Sequence, residues 1–243
     1  GAVLDAIRFL KRTAPLCVVG FGGFAAAPGG IAAKILGIPI IIHEQNAVPG
    51  LVNKMLSKIS KRNLAAFNAL LPDAKVVGNP IREDLLTLTP YRERYLARGD
   101  SPIRILVVGG SQGARILNEL MQEFAATALS EKFEILHQTG KAFYEAHQDD
   151  ADFKRENYTL TPFIDDMVAA YAWADLVICR AGALTVSEVL AVHVASCFIP
   201  FAKAVDDHQT KNAQALKDIG AAYLFLEDEI SLSVLEALLP DFK

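Results

Sequence analysis

Short apolar runs rich in β-branched residues alternate with longer helical patterns along all 243 residues, which restricts the chain to parallel α/β architectures. Residues 16–19, 38–42, 103–108, 133–137, 176–179 and 196–199 read as strands buried on both faces, because a parallel sheet covered by helices leaves neither face to water. Helical patterns occupy residues 3–12, 27–36, 51–61, 90–98, 114–127, 165–171, 184–191 and 208–219. The predicted class is α/β with doubly wound sheets.

The rhythm breaks once, at Val77-Gly78-Asn79-Pro80-Ile81-Arg82, where glycine and proline stand close together. A fresh strand, glycine loop and helix begin at Arg104. Two domains are therefore expected, residues 1–82 and 83–243. The first offers two firm strands, weaker ones near 63–66 and 75–77, and opens directly in a helix. An open sheet usually has about five or six strands. The N-terminal domain is expected to be incomplete, with βα units missing upstream.

Composition sets outer limits. Hydrophobic residues make up 52%, charged residues 21%, and the net charge is −4. The mild acidity argues against nucleic acid as a partner, since phosphate backbones are met by clustered Lys and Arg. Cys17, Cys179 and Cys197 lie in strand-like contexts without CxxC spacing and are expected to be buried thiols in a reducing cytoplasm. No signal peptide is visible. Residues 16–33 carry no charge, but five glycines and Pro28 within them spoil any lipid-exposed span.

Chemistry concentrates where strands end. Gly109-Gly110-Ser111-Gln112-Gly113 follows a strand and opens a helix, so close backbone approach and unpaired N–H groups suit a diphosphate. It is neither Walker A nor GxGxxG; a tight turn needing glycine is the plainer alternative. A second such loop precedes Ala183-Leu184-Thr185-Val186-Ser187-Glu188. There Glu188 either accepts ribose hydroxyls or closes a capping box with Thr185. In the string from Phe201 to Gln209, Asp206, Asp207 and Gln209, with Asn212 in the helix that follows, are sugar-binding types or helix-start solvation, and His43-Glu44-Gln45-Asn46 forms a polar cluster after a strand. The pairs Asp165-Asp166 and Asp206-Asp207 lack a third ligand and sit at helix starts. The five histidines lack zinc spacing, and Ser187 lacks the context of a hydrolase nucleophile. No metal and no cofactor are expected.

Taken in order, these segments resemble the MurG family of N-acetylglucosaminyltransferases. The strings are Gly22-Gly23 with Pro28-Gly29-Gly30, His43 to Asn46, Gly78-Asn79-Pro80 with Arg82, Gly109 to Gly113, Phe163-Ile164-Asp165-Asp166-Met167, Arg180 with Gly182 to Glu188, and Asp206 to Gln209. The resemblance implies a GT-B fold of two Rossmann-like domains and transfer of N-acetylglucosamine from UDP-N-acetylglucosamine to lipid I in peptidoglycan synthesis. By position it implies Ser111 at the diphosphate, the Ile164 backbone at uracil, and Ala183, Leu184, Thr185, Val186, Ser187 and Glu188 along the nucleotide, with Glu188 on ribose. Gln209 would hold the sugar hydroxyls, and Asn46 and Arg82 would reach the donor from the N-terminal side. A lipid-linked acceptor implies peripheral attachment to the cytoplasmic face of the bacterial inner membrane. The stretch 51–62, with Lys54, Lys58, Lys61 and Arg62, either lies on anionic lipid or packs on its own sheet.

Three departures stand against the family pattern. Its Thr-Gly-Gly-His loop, whose histidine is a candidate base, is absent, so the catalytic residue is unassigned. Ala26-Ala27 replaces Ser-Gly, giving up a hydroxyl and easy access to positive φ. His193-Val194-Ala195 replaces a Gly-x-Pro turn, with His193 expected on the surface. A UDP-sugar-binding but inactive fragment is the alternative function. A UDP-N-acetylglucosamine 2-epimerase or glycolipid glucosyltransferase would share the fold.

Overall fold

The computed structural model describes residues 1–68, 71–202 and 207–242. They form two compact units, Gly1–Pro80 and Ile81–Lys243. The first unit runs α1 (Ala2–Thr13), β1 (Val18–Gly20), α2 (Ala26–Ile35), β2 (Ile40–Glu44), α3 (Leu51–Leu56), β3 (Arg62–Ala65) and β4 (Lys75–Val76). Its strands are parallel in the order β1-β2-β3-β4. In α1, Asp5 in the first turn and Lys11 and Arg12 in the last complement the helix dipole. Leu10, Ala32, Ile40, Ile42, Val52 and Leu56 form the core.

The second unit runs α4 (Glu83–Leu86), α5 (Tyr91–Arg98), β5 (Ile103–Val108), α6 (Arg115–Ala125), β6 (Phe133–Gln138), α7 (Lys141–His147) and β7 (Tyr158–Thr161). It continues with α8 (Met167–Trp173), β8 (Leu176–Cys179), α9 (Ala183–Val192), β9 (Ala195–Phe198), α10 (His208–Asp218), β10 (Tyr223–Leu224) and α11 (Leu232–Leu238). The six parallel strands lie in the order β10-β9-β8-β5-β6-β7. The order reverses beside β5, where an open α/β sheet leaves a crevice at its carboxyl edge. Residues 176–179 of β8 are buried throughout, as expected of a strand covered on both faces.

Several expectations change. β7, β10, α4, α7 and α11 were not expected: β7 is short and only its first residue is buried, so its apolar signal is weak. The helix expected over 51–61 stops at Leu56, and Arg62 belongs to β3. Ser57 Oγ donates to Lys54 O, and Ser60 Oγ donates to Ser57 O and Asn63 Oδ1, which draws the chain out of the helix. Val52 and Leu56 pack into the core while Leu51, Lys54 and Met55 face outward. Cys17 is exposed rather than buried, because it precedes β1 at the edge of its sheet; Cys179 and Cys197 are buried. Ala27 lies inside α2, so no left-handed backbone is required there; positive φ falls instead on Gly22 and Gly23.

Candidate functional site

A cavity of about 1020 Å³ opens beyond the carboxyl ends of β5, β8 and β9. Its volume suits a ligand of nucleotide-sugar size. Gly109 and Gly113 meet Arg180 and Gln209 in its lining. The glycine loop is tight for internal reasons. A Cβ on Gly113, whose φ is +76°, would lie 2.0 Å from Thr139 O, and one on Gly109 would lie 2.6 Å from Ala114 N. These two glycines are therefore demanded by packing. Gly110 differs: its φ is +83°, yet a Cβ there would meet nothing within 4 Å. Gly113 N donates to Gly110 O at 2.8 Å, which leaves Ser111 and Gln112 at the exposed corner of a turn. The helix that follows, α6, has Ala114 as its N-cap without a side-chain cap, and Ala114, Arg115 and Ile116 line the cavity, which puts the helix's uncapped, positive dipole end at the cavity wall.

The opposite wall is braced by side chains. Arg180 Nη1 donates to Ile199 O and Pro200 O, each at 3.0 Å, and Nη2 pairs with Glu227 at 2.6 Å. Its guanidinium also lies over the Phe201 ring. Gln209 Oε1 accepts from Phe201 N at 3.0 Å, which holds the start of α10 to the same loop. Asp207 lines the cavity; Asp206 lies outside the described residues. Asn212 is fully buried and donates to Ala181 O at 3.2 Å, so it ties α10 to the β8–α9 loop and is not available to a sugar hydroxyl.

Glu188 sits within α9, whose N-cap is Gly182. Thr185 is the third helical residue, so no capping box forms, and that alternative falls. Arg82 Nη1 donates to Glu188 Oε1 at 2.6 Å and Tyr171 OH donates to Oε2 at 3.2 Å. The Tyr171 hydroxyl is held above its ordinary range, first by burial and then by neighbouring charge including Glu188, so it remains a donor. Each Glu188 oxygen keeps a second lone pair. Val186 is buried, Leu184 is exposed, and Ala183, Thr185 and Ser187 are half-buried; Ser187 Oγ donates back to Ala183 O. Ile164 is half-buried in the segment after β7, where Asp166 caps α8 by accepting from Ala169 N. Ile164, Ser111 and Glu188 do not line the cavity itself.

In the first unit, Glu44 is buried and accepts four hydrogen bonds, from Asn46 N, Asn46 Nδ2, Gly50 N and Asn53 Nδ2. The polar cluster at 43–46 thus organises its own loop around one carboxylate, and Asn46 is fixed by it. His43 Nε2 pairs with Gly78 O at 2.9 Å. Among the described residues, no group of three or more His, Cys, Asp or Glu is placed to hold a metal ion. Arg180, Thr210 and Glu227 were not singled out from sequence as site residues; only the sheet order brings them to one cavity.

Residues 104–242 match the glycosyltransferase family 28 C-terminal domain and residues 1–65 the glycosyltransferase family 28 N-terminal domain. Among curated relatives is the UDP-N-acetylglucosamine–N-acetylmuramyl-(pentapeptide) pyrophosphoryl-undecaprenol N-acetylglucosamine transferase of Cellvibrio japonicus, 47% identical over 98% of this chain and 67% of that one. The enzyme of the same name from Burkholderia cenocepacia is 48% identical over 96% of this chain and 65% of its own length. The chain thus spans about two thirds of these relatives. The crystal structure of Acinetobacter baumannii MurG superposes with a TM-score of 0.82 at 43% identity, covering 98% of this chain and 68% of that one. A Neisseria meningitidis UDP-GlcNAc 2-epimerase bound to UDP-GlcNAc shares the fold at a TM-score of 0.63 and 13% identity, over 99% of this chain and 73% of that one. The fold is of the GT-B type. By these matches over nearly its whole length, the chain belongs to glycosyltransferase family 28, among the MurG-type N-acetylglucosaminyltransferases.

Proposed function

We propose that the chain binds UDP-N-acetylglucosamine and serves the inverting transfer of N-acetylglucosamine to lipid I, giving lipid II. The observation that carries this reading is the 1020 Å³ cavity against the uncapped start of α6, in a chain 47% identical to a transferase of that name. The acceptor hydroxyl attacks C1 of the sugar as the C1–O bond to the diphosphate breaks. Its proton passes to a base, and the electron pair leaves with UDP, so the α linkage of the donor becomes β. Developing negative charge on UDP is met by Ser111 and the first N–H groups of α6, aligned before the reaction. Ile164 offers its backbone to uracil, and Ala183 to Glu188 run beside the nucleotide. Arg82 and Tyr171 aim the Glu188 carboxylate, leaving lone pairs for the ribose hydroxyls. Gln209 meets the sugar hydroxyls.

Calorimetric titration with UDP-N-acetylglucosamine tests the binding half of this reading: saturable binding supports it, and its absence overturns it. Transfer of labelled sugar to a lipid I analogue tests turnover. Binding without transfer would select a UDP-sugar-binding but inactive fragment instead. Peripheral attachment to the cytoplasmic face of the inner membrane accompanies the proposal, because the acceptor carries a lipid. Among the described residues no helix is long and apolar enough to cross a membrane. Co-sedimentation with anionic vesicles checks the attachment, and failure to sediment at low salt would remove it.

A further inference from the structure

Gln138 ends β6 with 3% of its surface exposed, and the donor contacts above do not involve it. Its side-chain amide is spent on the backbone of two loops. Oε1 accepts from Gly110 N at 3.1 Å, and Nε2 donates to Gly110 O at 2.9 Å and to Pro162 O at 3.1 Å. The main chain adds a bond from Gly109 N to Gln138 O at 3.2 Å. Both amide hydrogens and one lone pair are thus in use. Glutamate would set a carboxylate against two carbonyl oxygens, leucine would leave all three groups without this partner, and asparagine is one methylene short.

The two ends of this bridge matter. Gly109 and Gly113 leave no room for a Cβ, whereas one on Gly110 would meet nothing within 4 Å; the Gly110 N–H and carbonyl are both paired with the Gln138 amide. Pro162 stands two residues before Ile164, and Thr161 Oγ1 donates to Phe163 O at 2.8 Å, a local bond across the same short segment. One buried amide therefore ties the loop assigned to the diphosphate to the segment assigned to the base.

We propose that Gln138 is a positioning residue for the nucleoside diphosphate, fixing the spacing between the backbone groups that meet its two ends. This rests on the donor reading given above. A ligand that must touch both loops gains from having their separation set in advance. Loss of the amide should then weaken the nucleotide and also blur discrimination between bases, because the base is no longer placed by the diphosphate.

The test is calorimetry of the 243-residue chain and its Gln138→Glu and Gln138→Leu variants with UDP and with ADP, alongside thermal melts of the same samples. Both variants should bind UDP about tenfold or more weakly, the scale of one or two lost buried hydrogen bonds, and the preference for UDP over ADP should narrow. Wild-type affinity and preference in a folded variant would overturn the proposal. So would a lowered melting temperature with unchanged affinity, which would mark Gln138 as packing alone. If Gln138→Leu fails to fold, Gln138→Glu, with nearly the same volume, carries the comparison. A wild-type chain that binds no UDP overturns the donor reading itself, whereas failure confined to the variants overturns only the role of Gln138.

Discussion

Glycine at 110 and at 113 looks equivalent in the sequence, and the structure separates them. Gly113 has both a left-handed backbone and a neighbouring carbonyl at 2.0 Å from any added Cβ; Gly110 has the backbone without the crowding. Gly113→Ala is expected to cost about 3 kcal/mol or more, as strain and overpacking add, while Gly110→Ala should cost about 1 kcal/mol. Urea denaturation of the two variants checks this, and equal losses would contradict the packing argument. Cysteine exposure divides as sharply. Cys17 should react with a thiol reagent in the native protein, while Cys179 and Cys197 should react only in denaturant. Burial raises both of those thiols, Cys197 up to about 12, so access and ionisation act together. Rapid native labelling of more than one thiol would refute the placement of β8 and β9.

At the scale of elements, α9 ends at His193, whose φ of 53° and ψ of 27° are left-handed. This is the position where glycine usually closes a helix, and a residue with a Cβ is strained there. His193→Gly should therefore stabilise the fold by about 0.5–1 kcal/mol, read from the urea midpoint. A destabilised variant would show that His193 does more than turn the chain. The β6–α6 contact gives a second prediction. His137 is fully buried, with Nδ1 at 2.9 Å from Tyr158 OH and Nε2 at 3.2 Å from Asn118 Oδ1. Asn118 in turn donates to Thr139 O, the carbonyl that crowds Gly113. Burial pushes His137 from its ordinary 6.5 down to about 3. Between these values the unfolded chain binds the extra proton and the folded one does not. The contribution is thus complete above pH 6.5 and is lost on acidification, by up to about 1.4 kcal/mol per pH unit. Urea titrations from pH 7 to 5 should show this slope, and His137→Asn should flatten it; an unchanged slope in the variant would refute the assignment.

For the whole molecule, the sequence determined the α/β class, the strands at β5, β6 and β8, and the glycine loop at a strand end, because apolar periodicity and glycine are local signals. It also carried the family, through motifs held in order along the chain. Short or half-exposed elements such as β7, β10 and α7 escaped it, since their stability comes from neighbours contributed by distant sequence. Tertiary structure alone decided which groups meet. The sheet order β10-β9-β8-β5-β6-β7 brings Arg180, Gln209 and Glu227 to the cavity beside Gly113. The same fold joins Arg82 to Glu188 across 106 positions, and it spends the Gln138 amide on Gly110 and Pro162. Sequence sets what each residue can donate, accept or pack. Which partner it finds is decided by strand order and helix placement, because a hydrogen bond reaches about 3 Å and the chain brings such pairs within that range only by folding.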